Sequence, residues 1–224
     1  MYWHNFLIML LEFFVSAFIV LLFLKFFKKE GAFVALAILI VASNLGVAKL
    51  YNLFSFELTA ANMSMGLVFV LYSIIVEVYG RKEGIKAVWL GFLAQFVFLV
   101  LGFVYLSYTP SENDFIQEHM KQIFNFTPRI AIASWIAFIA SGYISVELFN
   151  FFKKKKTKLW FRNNFSTKVG QIIDNFIFVT VAFFGIVDFF VYLQIFITTT
   201  IVEFLLDYLD TWIVYLGVRI LKKN

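Results

Sequence analysis

The sequence predicts an all-α, polytopic transmembrane helical bundle, and three observations lead there. Hydrophobic residues make up 62% of the chain and charged residues 15%, against about 25% charged in ordinary soluble domains. Mean hydropathy is +0.87. Apolar stretches long enough to span a bilayer, at about 20 residues each, recur along the chain, and lysine and arginine collect in every second connection between them.

Seven apolar segments can be delimited, at 6–27, 31–49, 58–79, 86–108, 129–150, 168–187 and 191–220. The first runs into Lys25, Lys28 and Lys29, is long for a signal-peptide core and lacks a basic leader, so it is expected to be retained. The second is uncharged from Gly31 to Ala48. The third ends in "EVYGRKEG", where Glu77 stands just before the basic cluster. The sixth contains Asp174, and the seventh contains Glu203, Asp207 and Asp210, so these two are less clean by hydropathy. Between the fourth and fifth, "SENDFIQEHMKQIF" opens with Ser111 and Asp114 in capping-box spacing and sets Phe115, Ile116, Met120, Ile123 and Phe124 on one helical face. A short interfacial helix is expected there.

The basic loops set the topology. Lys25, Lys28 and Lys29, then Arg81, Lys82 and Lys86, then Lys153 to Lys156, Lys158, Arg162 and Lys168, and finally Arg219, Lys222 and Lys223 alternate with connections carrying Lys49, Lys121 and Arg129 among acids. By the positive-inside rule the basic loops and the C-terminus face the cytoplasm and the N-terminus lies outside. The "KKKK" run is accounted for by this rule, and no nucleic-acid partner is expected. The lipid bilayer is the expected environment, in a prokaryotic inner membrane.

Cysteine is absent, which excludes disulfides, thiol catalysis and cysteine metal sites. No phosphate-binding glycine loop, histidine pair at metal spacing or serine elbow occurs. An enzyme is not expected, nor a cofactor or a metal. Instead, polar groups stand inside the apolar spans: Asn44 in the second, Ser73 and Glu77 in the third, Ser134, Ser141 and Ser145 on one face of the fifth, Gln171, Asp174 and Asn175 in the sixth, and the acids of the seventh. A charge at a helix centre costs about 2.5–3.5 kcal/mol on insertion scales and so usually faces a bundle interior or a water-filled path. Glu77 is equally readable as an i,i+4 partner of Arg81, and Lys49 and Arg129 as interfacial cations. Asp174, flanked by Gln171 and Asn175, is the best candidate for a ligand group. A carboxylate with amides in an aromatic-rich bundle suits a flat heterocycle with donors along one edge.

The segments "ASNLGVAKL" (42–50), "EVYGRKEGIKAV" (77–88), "TPRIAIASWIAF" (127–138) and "LWFRNNFSTKVGQIIDNFIF" (159–178) resemble the successive motifs of the queuosine precursor transporter family, also described as vitamin uptake transporters. The resemblance covers about residues 33 to 220. It implies six core helices at 31–224, with a fold like the membrane substrate-binding subunits of vitamin importers, and residues 1–30 as an extra N-terminal transmembrane helix. It implies uptake of a small-molecule 7-deazaguanine-like ligand, and it points to Asn44, Glu77, Arg129, Ser134, Arg162, Asn163, Gln171 and Asp174. Asn175 joins them from the reading of the sixth span, and Glu203, Asp207 and Asp210 are candidates for ion coupling. The chain departs from the family pattern at Ser73, Gly142 and Ser145, where acids or amides are usual. Secondary or facilitated transport is the leading expectation, and a homodimer is compatible with it. The alternative is a substrate-capture subunit dependent on a separate ATPase.

Overall fold

The computed structural model describes residues 2–53, 56–124, 128–185, 188–207 and 210–222. Lys223 therefore lies outside the described residues, as does Thr127 of the third motif. The first two apolar segments form one helical element, α1 (Tyr2–Gly46), interrupted at Lys28, whose φ of 51° and ψ of −120° are non-helical. The chain folds back there: a Cβ on Gly31 would lie 2.1 Å from the Phe23 carbonyl oxygen. Only glycine permits so close a crossing of the two arms, 2–27 and 29–46. The Asn5 side chain accordingly donates to the carbonyl of Asn52 at 2.8 Å, 47 residues away.

A two-stranded antiparallel hairpin follows, β1 (Leu50–Leu53) and β2 (Phe56–Thr59), with Leu50 opposite Thr59 and Leu53 opposite Phe56. The expected start of the third span at 58 is thereby corrected, since 56–59 belong to β2 and α2 runs Asn62–Tyr79. Gly80, at φ 89°, turns the chain directly into α3 (Arg81–Leu106). Then come α4 (Gln117–Phe124), α5 (Pro128–Lys154), α6 (Leu159–Phe183), α7 (Phe189–Leu206) and α8 (Thr211–Lys222). Among the described residues, four helices are long and apolar enough to cross a membrane: Trp3–Gly46, Asn62–Tyr79, Arg81–Leu106 and Arg129–Lys154. The fold is an all-α polytopic helical bundle with a small hairpin at one end.

Two further expectations are revised. The amphipathic stretch after Pro110 is helical only from Gln117. Asp114, not Ser111, supplies the cap, because its carboxylate accepts from the amides of Ile116 at 2.9 Å and Gln117 at 3.0 Å. Phe115 consequently lies before the helix and is 86% exposed, while Phe124 buries against Phe98 and fills the space above Gly102. The segment 191–220 is not one helix but two, broken between Leu206 and Thr211. The break falls where Asp207 is held by the Gln171 amide at 2.9 Å and Thr211 by that of Asn164 at 3.0 Å.

The centre of the bundle is α2, whose side chains from Leu67 to Glu77 are all buried. It packs against α1, α3, α5 and α8. The first arm of α1 is part of this core, since Met9, Phe13, Ala17, Val20 and Leu24 are buried on one stripe. The Cβ that Gly217 of α8 lacks would meet Leu24 at 3.0 Å and Ile74 at 2.6 Å, so α8 settles into the groove between the arm and α2.

One end of the bundle gathers the cations. Lys29 pairs with Glu83 at 2.9 Å, Arg81 pairs with Glu147, and the Lys153 ammonium donates to the terminal carbonyls of α2, Val76 at 2.8 Å and Glu77 at 2.6 Å. The opposite end carries the β-hairpin, α4 and Arg129. There the Arg129 guanidinium donates to the carbonyls of Val181 at 2.5 Å and Phe184 at 2.7 Å, satisfying the last turn of α6.

Candidate functional site

The site is built on the contact between α5 and α6. A Cβ on Gly170 would lie 3.1 Å from Ser145 Cβ and 3.3 Å from the Ser141 carbonyl oxygen, so glycine is what lets the two helices touch. One turn further along α6, Asp174 comes within reach, and the Ser141 hydroxyl donates to its carboxylate at 2.8 Å. Both groups are far from either end of their helices.

Two cavities meet at Asp174. The larger, about 290 Å³, is lined by Ser43 and Asn44 from α1, Thr59 and Asn62, Gln95 of α3, Ser134 of α5, Asp174, Asn175 and Phe178 of α6, and Thr199 and Glu203 of α7. Val47 and Thr59 place one end of it beside the β-hairpin. The smaller, about 70 Å³, lies against the break between α7 and α8 and is lined by Phe13, Phe69, Gln171, Asp174, Glu203, Asp207 and Asp210. Asn62, Met65, Asp174 and Glu203 face both.

Amides partner the acids of α7 and the break. The Asn175 amide donates to Glu203 at 2.7 Å and to the Thr200 hydroxyl at 3.3 Å, and the Gln171 amide donates to Asp207. Asn163 stands beside Asp210, and the Lys168 ammonium, 5.2 Å from the Phe204 ring centre, lies near both Asp207 and Asp210. Second carboxylate oxygens of Asp207 and Asp210 are buried with no hydrogen-bond partner among the described residues. The acids are not disposed to hold a metal ion among the described residues.

Of the residues singled out from sequence, the structure brings Asn44, Ser134, Gln171, Asp174, Asn175, Glu203, Asp207 and Asp210 to the walls of these cavities. Asn44 also donates to the Ile40 carbonyl at 2.8 Å, which leaves its oxygen for the cavity. Glu77, Arg129, Arg162 and Asn163 line neither cavity. Glu77 does not pair with Arg81. It is buried at the basic end, where Arg162 donates to it at 2.7 Å and Lys222 at 3.2 Å. Arg162 also donates to the Thr157 carbonyl at 2.8 Å and packs its guanidinium over Phe149. Sequence reading passed over Gln95, Ser43, Asn62 and Thr199. For Gln95 a signal existed: it is the one amide in an otherwise apolar run from Ala87 to Leu106.

Helices long and apolar enough to cross a membrane, packed around internal cavities lined with carboxylates and amides, mark the chain as a small-molecule membrane transporter. The chain belongs to the family described as "Putative vitamin uptake transporter", whose model matches residues 59–217. It is 40% identical over 191 residues to a "Probable queuosine precursor transporter" of Bacillus subtilis (strain 168), covering 83% of this chain and 82% of that protein. It is 29% identical over 138 residues to a protein of the same name from Haemophilus influenzae (strain ATCC 51907 / DSM 11121 / KW20 / Rd), covering 61% and 57%. No solved structure matches the chain.

Proposed function

We propose that this protein takes up a 7-deazaguanine precursor of a modified tRNA base, such as 7-cyano- or 7-aminomethyl-7-deazaguanine, across a prokaryotic plasma membrane. The observation that carries the reading is the larger cavity, in which a buried carboxylate, Asp174, faces a space near the lower end of the about 300–1,000 Å³ typical of ligand sites. That suits one flat bicyclic solute. A guanine-like edge offers ring N–H and exocyclic amino donors, the kind of group that a buried carboxylate accepts in plane. Phe178 supplies an aromatic face in the same cavity. Two relatives named as queuosine precursor transporters support the solute class.

In this reading the basic end faces the cytoplasm, the β-hairpin end faces outward and the larger cavity receives solute from outside. Glu77 and Arg162 hold the inner end closed, and Arg129 steadies the outer end of α6. The acids at the α7–α8 break couple solute movement to protons, in keeping with the use of discontinuous helices in secondary transporters. Reconstitution of the purified protein alone into liposomes tests the proposal. Uptake of radiolabelled 7-aminomethyl-7-deazaguanine, competed by the 7-cyano compound and lost in Asp174→Asn, is expected. Binding without uptake would instead favour a capture subunit that needs a separate ATPase, and neither binding nor uptake would sink the assignment.

A further inference from the structure

Gln95 stands alone in its helix. It lies on the buried face of α3 with Gly91 one turn before and Leu99 one turn after, and it lines the larger cavity. The residue is 6% exposed, and its carbonyl oxygen is buried with no hydrogen-bond partner among the described residues. At about 1.5 Å per residue, Gln95 on α3 and Asp174 on α6 both stand about 20 Å from the basic end, so they share one depth in the same cavity. A buried carbonyl oxygen left unpaired costs roughly its desolvation, so a donor that enters the cavity gains by meeting it.

We infer that Gln95 is a solute-reading residue, forming with Asp174 a two-sided clamp for a flat heterocycle that carries a lactam edge. The inference rests on the transport reading above and adds a recognition element to it. A primary carboxamide presents a donor and an acceptor side by side. Its complement is a ring carbonyl next to a ring N–H, and with that lactam pair on Gln95 the neighbouring exocyclic amino group is left for the Asp174 carboxylate. An apolar residue at 95 would pack as well in the empty site and would read nothing. The charged and polar groups around the same space, Asn44, Ser134, Asn175 and Glu203, are already engaged or sit on other walls.

The test compares wild type, Gln95→Leu and Gln95→Glu in detergent, measuring melting temperature without ligand and the shift produced by 7-aminomethyl-7-deazaguanine, guanine and adenine. Because leucine removes an orphaned polar group, Gln95→Leu is expected to melt at the wild-type temperature or above. Its affinity for the two lactam compounds should fall roughly ten- to a hundredfold, with discrimination against adenine lost in parallel. Gln95→Glu keeps an acceptor, loses the donor and should bind with intermediate affinity. Wild-type shifts retained in Gln95→Leu would overturn the inference while leaving the transport reading intact. A Gln95→Leu protein that melts well below wild type and binds normally would mark the residue as packing alone and also overturn it. If wild type shows no shift with either lactam compound, both the transport reading and the clamp fail.

Discussion

At the basic end, the buried carboxylate of Glu77 accepts from Arg162 at 2.7 Å and Lys222 at 3.2 Å, and Lys153 seals the backbone carbonyls beside it. In the middle of the bundle, Asp174 has the neutral Ser141 hydroxyl as its hydrogen-bond partner among the described residues, and Glu203 has Asn175. The two regions set the same chemical group in opposite surroundings. Where the charge is matched by cations from α6 and α8, it ties helices that are far apart in sequence. Where its hydrogen-bond partners among the described residues are amides and hydroxyls, it lines the cavity instead.

The largest effect is expected from breaking the matched region. Glu77→Gln leaves Arg162 buried without its carboxylate, and removal of one partner of a buried pair costs about 3–5 kcal/mol. Thermal melting in detergent should show a large fall, with ligand binding retained by whatever fraction stays folded. Asp174→Asn should act the other way: a change in stability within about 1 kcal/mol, and solute affinity lowered about ten- to a hundredfold in a binding titration. Glu203→Gln removes a carboxylate held only by neutral groups among the described residues, so stability should be unchanged or raised by up to about 1 kcal/mol. Uptake into liposomes should then lose its dependence on a pH gradient. The smallest effect sharpens the comparison at the basic end itself. The Arg81–Glu147 pair is 44% and 33% exposed, and Arg81→Ala should leave the melting temperature nearly unchanged in the same assay.

Much of the fold is legible because crossing a membrane imposes long apolar runs and asymmetric basic loops, which read directly from the residues. The breaks are harder. The spacing of Glu203, Asp207 and Asp210 fits one face of a continuous helix, and no Pro or Gly marks the interruption after Leu206. What accompanies it lies on another helix, in the ties from Gln171 to Asp207 and from Asn164 to Thr211. Likewise the last two residues of "LYNLFSFELT" read as the start of the span that follows, and only the register of its two short strands reveals a hairpin. The polar half of the site was legible where residues cluster along one helix, as with Gln171, Asp174 and Asn175. It was not legible where a single residue depends on tertiary neighbours: Arg162, the partner of Glu77, is 85 residues away, and Gln95 has no polar neighbour in its own helix to announce it.

The most direct measurement places wild type, Asp174→Asn and Glu77→Gln side by side in one thermal-shift experiment, with and without 7-aminomethyl-7-deazaguanine. The account predicts a crossed result, in which Asp174→Asn keeps the wild-type melting temperature but loses the ligand-induced shift, and Glu77→Gln melts much lower but is still shifted by ligand. A ligand shift that survives in Asp174→Asn, or one abolished in folded Glu77→Gln, would contradict the division between a charge that holds the bundle and a charge that binds the solute.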